Sequence, residues 1–272
     1  MYKIIFSDVD GTLNDPDLKV PQENKDAILK AEGLGVAFIL CSGRSYSSLK
    51  TIHKDIGINP KNSFVIGFNG GTVYDIEQDK VVYQDILSKE LAIEAIEIFK
   101  KEKRPVEVFI YLDEKNVLTE EGSKWAEEYK NISQVDMRFS ADILGDAKAL
   151  DNIVKVIFLS AKVDGELLKS HLLASLKGKA DVVFSSEYIL EVGPVAASKG
   201  NALKWLCAKK GIPLEQVIAI GDNYNDLTMI EAAGMGVAVA NAVDHLKDLS
   251  NFVTTKESHQ GAVAEVIEKF IL

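Results

Sequence analysis

The stretch YKIIFSDVDGTL, residues 2–13, joins a short apolar run to two aspartates that are separated by one residue. The apolar run has no polar face, which is typical of a strand buried in the middle of a parallel sheet. Asp8 and Asp10 follow this run directly, and Gly11 permits a turn after them. We therefore predict a buried strand whose carboxyl end carries both aspartates.

The same alternation of apolar runs and helix-like segments continues in two regions of the chain. Further runs of the buried-strand type are VAFILC (36–41), SFVIG (63–67), QVIAIG (216–221) and GVAVA (236–240). Amphipathic segments of helical period separate them. This order predicts an α/β fold with a doubly wound parallel sheet that helices cover on both faces.

Residues 85–188 have a different pattern of helix-like and strand-like segments. Charged amphipathic helices such as SKELAIEAIEIFKKEK (88–103) alternate there with strands such as VEVFIY (106–111). These segments indicate an antiparallel α+β unit. We expect a core domain formed by residues 1–84 and 189–272, interrupted by an inserted domain at 85–188.

Composition excludes several classes of partner. The 272 residues carry a formal net charge of -10, which argues against binding to nucleic acid or to an anionic membrane surface. No apolar run approaches the roughly 20 residues of a membrane span. Cys41 and Cys207 lie in apolar or helical segments and are expected to be reduced core residues. These features predict a cytoplasmic protein.

Polar residues follow the core strands at the point where each strand ends. In open parallel sheets, ligands bind beyond the carboxyl ends of the strands, so these residues are expected to meet along one edge. Such an edge holds up to four carboxylates, which is tolerable if a hard cation lies among them, and Mg²⁺ prefers this kind of donor. The residues are Asp8, Asp10, Ser42, Gly43, Arg44, Asn69, Gly70, Asp222, Asn223, Asn225 and Asp226.

Taken singly, most of these features have ordinary structural explanations. An Asp-Gly pair is a common turn, and a lone lysine such as Lys199 is ordinarily a surface residue. The four histidines lack the spacing of metal ligands and are expected at the surface. It is the order of the motifs along the chain that weakens the structural explanations.

Four motifs in this order resemble those of the haloacid dehalogenase superfamily: DVDGTL (8–13), CSGR (41–44), SKG (198–200) and GDNYND (221–226). The large insertion between the second and third motifs is similar to the C2B cap of the Cof-type subclass IIB phosphatases. FNGG (68–71) resembles the Asn-Gly turn of that subfamily, although Gly71 stands where alanine is commoner. The resemblance covers the core strongly and the inserted domain only in layout. It implies a Rossmann-like core with an inserted cap.

The resemblance also implies catalytic roles for the paired aspartates. Asp8 would be the nucleophile that forms an aspartyl-phosphate, and Asp10 would be the general acid and base. Asp10 must then hold a proton, which crowding by Asp8 and Asp222 is expected to favour. Mg²⁺ would be held by the side chains of Asp8 and Asp222 and by the backbone carbonyl of Asp10, with Asp226 supporting this set through hydrogen bonds or water.

The remaining motif residues would bind the phosphoryl group of a small phosphorylated metabolite, with sugar phosphates as the leading candidates. Ser42 and the Gly43 N–H would contact phosphoryl oxygens, and Lys199 would neutralise developing charge. Asn225 would help to hold the phosphate, and Asn69 and Arg44 complete the set. Arg44 either contacts the substrate or pairs with a core acid.

Three other functions remain open at this stage. A sugar phosphomutase uses the same aspartyl-phosphate, and nothing in the motifs excludes it. A signalling receiver domain also combines an acidic pair with a late lysine, but its phosphorylated aspartate ends a later strand, where this chain has Asn69. A ligand-binding regulator without catalytic activity is disfavoured by the complete set of acids.

Overall fold

The structure is a computed structural model that describes residues 1–113, 115–133, 135–195 and 197–272. The strands in these residues are β1 (Ile4–Ser7), β2 (Ala37–Cys41), β3 (Phe64–Gly67), β4 (Thr72–Asp75), β5 (Lys80–Gln84), β6 (Val106–Tyr111), β7 (Asn116–Glu120), β8 (Asp136–Ser140), β9 (Lys155–Ser160), β10 (Ala180–Ser186), β11 (Ile189–Pro194), β12 (Val217–Gly221), β13 (Met235–Ala238) and β14 (Phe252–Val253).

The α-helices in the same ranges are α1 (Gln22–Gly33), α2 (Tyr46–Ile56), α3 (Lys89–Lys101), α4 (Ala126–Ser133), α5 (Ile143–Ala149), α6 (Lys162–Leu176), α7 (Lys199–Lys210), α8 (Leu227–Ala232), α9 (Asp244–Leu249) and α10 (Ala262–Phe270). Among them, none is both long enough and apolar enough to cross a membrane. The chain divides into two compact units. The core unit is Met1–Gln84 with Ala197–Leu272, and the inserted unit is Asp85–Ala196.

The core unit is built on an eight-stranded sheet in the order β14-β13-β12-β1-β2-β3-β4-β5. Its first six strands run parallel, and β4 and β5 form an antiparallel extension. Strand β1 lies in the middle, where Ile4 pairs with Val217 on one side and with Ala37 on the other. All four residues of β1 are buried, as the run without a polar face predicted. The α/β fold with a parallel sheet is confirmed.

Caps at two helix starts fix the loops that leave β2 and precede α7. The hydroxyl of Ser45 accepts a hydrogen bond from the N–H of Ser48 at the start of α2. Likewise, the hydroxyl of Ser198 accepts from the N–H of Asn201, so α7 begins at Lys199. Each cap satisfies a backbone donor that the helix leaves unpaired. The two caps therefore fix the residues at which α2 and α7 begin.

The inserted unit has its own six-stranded sheet in the order β10-β11-β9-β6-β7-β8. Strand pairs are antiparallel except for β7 with β8. The expected boundary at residue 188 is too early, because β11 (Ile189–Pro194) pairs with both β9 and β10 in this sheet. A polar hairpin turn, not a linker, lies at Glu187 and Tyr188. The insertion therefore extends several residues further.

His53 corrects the expectation that all four histidines are exposed. It lies on α2 with Leu49 and Ile56, and the spacing of four and three residues puts all three on the buried face. The imidazole Nε2 is 2.7 Å from the hydroxyl of Ser63, and the side chain is buried. The prediction was based on metal-ligand spacing, which does not indicate whether a histidine lies on the buried face of a helix. The other three histidines are exposed.

Burial of His53 predicts a pH dependence of stability. Burial lowers the pKa of His53 from 6.5 to about 4, so the unfolded chain binds a proton in this interval that the folded chain rejects. The free energy of unfolding should therefore fall as the pH drops from about 6.5 towards about 4. Urea unfolding across this range should show a shallower loss for His53→Gln. His259→Gln, at an exposed histidine, should keep the wild-type slope; equal slopes in all three proteins would contradict the prediction.

Candidate active site

The carboxyl ends of β1 and β12 bring two of the motifs together. The N–H of Asp8 donates to the carbonyl of Ile220 at 2.9 Å, which extends the pairing of the strands to the first aspartate. The hydroxyl of Thr12 donates to Asp222 Oδ1 at 2.8 Å. The two bonded residues are 210 positions apart in the sequence. The first and fourth motifs thus share one edge.

An acidic cluster, in which Asp8 and Asp226 are buried and Asp222 is half-buried, forms the centre of this edge. Asp8, Asp222 and Asp226 each offer a carboxylate oxygen, and these oxygens lie within 4.8 Å of one another. Lys199 is fully buried beside them. Its Nζ is 2.5 Å from Asp8 Oδ1 and 2.6 Å from Asp226 Oδ1. One ammonium therefore contacts two of the three carboxylates of the cluster.

The three carboxylates of the cluster carry more negative charge than the ammonium of Lys199 can neutralise. Burial raises the pKa of Asp8 well above its ordinary value, against the opposing effect of Lys199, and burial also raises the pKa of Asp222. Burial alone would lower the pKa of Lys199, but Asp8 and Asp226 hold it above its usual range. A divalent cation among the oxygens would balance the remaining charge, so the donor set fits a hard cation such as Mg²⁺.

Asp226 has both carboxylate oxygens engaged by the protein. Oδ1 accepts from Lys199, and Oδ2 accepts from the N–H groups of Asp222 and Asn223 at 2.9 and 3.0 Å. These bonds hold the loop after β12 in place. These contacts let Asp226 orient the neighbouring groups of the cluster.

Asp10 lies outside the acidic cluster and pairs with Arg44. The guanidinium Nε donates to Asp10 Oδ2 at 2.7 Å, and Nη2 donates to Oδ1 at 2.6 Å. In this structure Arg44 therefore contacts a core acid, one of the two alternatives that the sequence left open. The Asp10 carboxylate, which we expected to be crowded by Asp8 and Asp222, faces Arg44 instead, because Asp10 lies in the turn after β1, where the regular alternation of a strand no longer sets side-chain direction.

The other predicted residues surround the ends of β2 and β3. Ser42 is buried directly after β2, and its hydroxyl accepts from the N–H of Arg44 at 3.3 Å. Asn225 Nδ2 donates to Asn69 Oδ1 at 3.0 Å, which joins the loop after β3 to the loop after β12. Gly43 lies against this pair, since a β-carbon there would be 3.2 Å from Asn69 Oδ1.

Asn241 is a site residue that our reading of the sequence missed. It follows β13, and its Nδ2 donates to the carbonyl of Gly11 at 2.7 Å. Its Oδ1 accepts from the N–H of Ser258 at 2.9 Å. The signal that found the other residues, a polar side chain just after a buried strand, is also present here.

Gly200 of the SKG motif sits where two helices meet. Its N–H donates to the hydroxyl of Thr228 at 3.0 Å, and a β-carbon on Gly200 would lie 2.2 Å from the carbonyl oxygen of Thr228. At this distance a β-carbon would clash with the backbone of α8, and the clash could be relieved only by moving one of the two helices. Gly200 therefore lets α7 approach α8 closely enough to bury Lys199.

Substitution of Gly200 by alanine should separate α7 from α8. We expect Gly200→Ala to lower the free energy of unfolding by about 1–3 kcal/mol, the usual range for overpacking. Gly33→Ala is the matched control, because nothing lies within 4 Å of its added β-carbon near the end of α1. Chemical denaturation of both variants measures the difference. Equal stabilities would contradict a tight contact at Gly200.

Comparison with known proteins identifies the family of this fold. Residues 5–267 match the family of haloacid dehalogenase-like hydrolases. YxeH of Bacillus subtilis (strain 168), which carries a provisional phosphatase name, is 31% identical over 100% of this chain and 99% of its own length. YwtE of the same organism is named a 5-amino-6-(5-phospho-D-ribitylamino)uracil phosphatase and is 29% identical over 99% of this chain and 98% of its own.

A solved structure supports the same architecture. The subclass IIB sugar phosphatase BT4131 of the haloacid dehalogenase superfamily superimposes with a TM-score of 0.79 and 19% identity, covering 98% of both chains. At this identity the likeness concerns the fold alone. The family match spans nearly the whole chain. The chain therefore belongs to the haloacid dehalogenase-like hydrolases, and its enzyme class is that of a phosphatase.

Proposed function

We propose that the protein is a Mg²⁺-dependent phosphatase that hydrolyses small phosphorylated metabolites, sugar phosphates first among them, through an aspartyl-phosphate on Asp8. The observation that carries this proposal is the cluster of Asp8, Asp222 and Asp226 around the ammonium of Lys199, in which Asp8, Asp226 and Lys199 are buried. Buried carboxylates in excess of their cationic partner are costly, and a phosphoryl-transfer site that binds a cation gives them a function.

The side chains of Asp8 and Asp222, with the backbone carbonyl of Asp10, are the proposed Mg²⁺ ligands. Asp226 orients this set through the bonds of its two oxygens. When bound, the cation would neutralise charge on the phosphoryl group and keep Asp8 ionised against its burial. Burial raises the pKa of Asp8, and a bound cation would act in the opposite direction.

Asp8 and Asp10 divide the proposed reaction between them. An Asp8 oxygen attacks phosphorus, the bond to the leaving oxygen breaks, and Asp10 gives that oxygen its proton. Water then attacks the phosphorus of the aspartyl-phosphate and passes a proton to Asp10. The bond between phosphorus and the Asp8 oxygen breaks, which releases inorganic phosphate and restores the Asp8 carboxylate. Asp10 can serve in this way only after its two bonds to Arg44 open. The freed guanidinium is then available to the substrate.

The phosphoryl group would lie among the residues that end β2, β3 and β12 or begin α7. Ser42, the Gly43 N–H and Asn225 supply hydrogen-bonding groups, Asn69 accepts a hydrogen bond from Asn225, and Lys199 supplies positive charge. We propose that the inserted unit is a C2B-type cap domain, as the family resemblance implied. The buried free thiols of Cys41 and Cys207 favour a cytoplasmic location.

The substrate proposal draws on size and chemistry. YwtE is named for a small metabolite with a phosphorylated ribityl chain. The net charge of -10 disfavours nucleic acid. A panel of phosphorylated sugars, nucleotides and coenzymes, assayed for free phosphate with Mg²⁺ and with EDTA, tests the proposal. We expect metal-dependent release from at least one sugar phosphate; isomerised monophosphate in place of free phosphate would indicate a mutase and overturn it.

A further inference from the structure

Residues 68–70, which we name the left-handed turn, connect β3 to β4 with an unusual backbone. Phe68, Asn69 and Gly70 have φ values of 50°, 53° and 99°. Residues with a side chain rarely adopt such values, and a bulky residue such as Phe68 does so least readily. Strained conformations of this kind persist where surrounding contacts hold them, often at functional sites.

The left-handed turn holds the loop after β2 by its backbone. The N–H of Phe68 donates to the carbonyl of Arg44, and the N–H of Asn69 donates to the carbonyl of Ser42, both at 3.0 Å. Between these two carbonyls lies Gly43, which faces the Asn69 amide so closely that a β-carbon would touch it. The strained backbone thus fixes both ends of residues 42–44, the proposed phosphate-binding loop.

Two more loops meet the same turn. A β-carbon on Gly70 would lie 2.1 Å from the carbonyl oxygen of Ser198, so the backbones of the turn and of the start of α7 are in direct contact. On another side, Asn225 Nδ2 donates to Asn69 Oδ1. The turn therefore touches the residue before Lys199 and the residue before Asp226.

We propose that the left-handed turn sets the relative positions of the phosphate-binding groups, and that Asn69 is a positioning residue that acts through Asn225. This inference rests on the proposed phosphatase function and assigns a task within it. Three loops, far apart in sequence, supply Ser42, Lys199 and Asn225. In the described part of the chain, the left-handed turn is the element whose contacts join all three.

A double-mutant cycle tests the role of Asn69. Asn69→Gly removes the side chain but accepts the same backbone conformation, because glycine populates positive φ freely. Asn225→Ala removes the other partner. We expect each single variant to lower kcat/KM for an aryl phosphate by about 5- to 20-fold, the range for a hydrogen bond in a polar site. Since the two act together, the double variant should lose no more than about twofold beyond the singles.

Asn62→Gly is the matched control. Asn62 also has a left-handed backbone, with φ of 55°, but it lies before β3 at the other end of that strand. The same substitution there should leave kcat/KM within about twofold of wild type. A merely structural role for Asn69 would lower the urea midpoint and leave kcat/KM of the folded fraction unchanged, and this result would overturn the inference. Multiplying losses in the double variant would overturn it as well.

A second readout separates this inference from the proposed function. The Mg²⁺-dependent rise in melting temperature on addition of inorganic phosphate needs no turnover, and it should fall in Asn69→Gly and Asn225→Ala alike. If wild type binds phosphate but hydrolyses no substrate, the phosphatase proposal fails, while the phosphate-induced rise in melting temperature still tests Asn69: a smaller rise in Asn69→Gly supports the inference, and an unchanged rise overturns it. If wild type neither binds phosphate nor turns over substrate, both proposals are overturned.

Discussion

Asp8→Asn is expected to abolish turnover of a generic aryl phosphate in Mg²⁺ buffer, with a loss of roughly 10⁴-fold or more in kcat, as for other nucleophile replacements. The asparagine amide cannot form the aspartyl-phosphate, and it also withdraws one of the proposed cation ligands. Steady-state phosphate release measures the effect, with enzyme prepared from a host free of contaminating phosphatase.

The same substitution should spare the fold. Burial raises the pKa of Asp8, which means that the ionised carboxylate is costly in the folded protein near neutral pH. A neutral amide removes this cost, so the free energy of unfolding should be unchanged or higher. Asp17→Asn, at an exposed aspartate nine residues further on, is the control and should retain full activity. Full activity in Asp8→Asn would contradict the assignment of Asp8 as the nucleophile.

Lys199→Met should cause the largest loss of stability among single substitutions of the site. The change leaves Asp8 and Asp226 buried without the ammonium that lies 2.5 and 2.6 Å from them. Removing one partner of a buried ion pair typically costs about 3–5 kcal/mol, because the remaining charge keeps its desolvation penalty. Urea denaturation at neutral pH measures this difference.

Two comparisons make the Lys199 prediction specific. Lys204→Met, at an exposed lysine on the same helix, should change the free energy of unfolding by less than about 0.5 kcal/mol. Lowering the pH should narrow the gap between Lys199→Met and wild type, since protonated carboxylates no longer need the ammonium. A variant as stable as wild type at neutral pH would show that the three-way contact contributes nothing.

The sheet was predictable because its strands carry an unambiguous signal. Residues 2–7 have no polar face, and the same holds for the run that ends at Cys41. Polar residues that follow such runs share one edge of a parallel sheet, which is why the sequence alone predicts that Asp8 and Asp222 lie together. The full burial of Lys199 could not be read in this way, because a lysine is buried only when its partners are present.

Features that depend on side-chain direction were not predictable. Asp10 follows Asp8 by two positions, yet one enters the acidic cluster and the other meets Arg44. The cross-loop bond of Thr12 likewise depends on packing between segments distant in sequence. The burial of His53, by contrast, was missed although its spacing from Leu49 and Ile56 puts it on the buried face of α2. The sequence places the end of the inserted domain at the turn formed by Glu187 and Tyr188, because hairpin turns and domain boundaries contain the same kinds of polar residue.

The central position of β1 has a consequence for how the protein is made. Asp8 meets Lys199 across 191 residues, and β1 cannot pair with β12 until residues 217–221 have left the ribosome. At about 5–20 residues per second, synthesis leaves one edge of this apolar strand without its partner for roughly 10–40 s. An open apolar edge invites association with other chains. The nascent protein should therefore depend on chaperones during this interval, and enzymatic activity should appear only after nearly the whole chain has been translated.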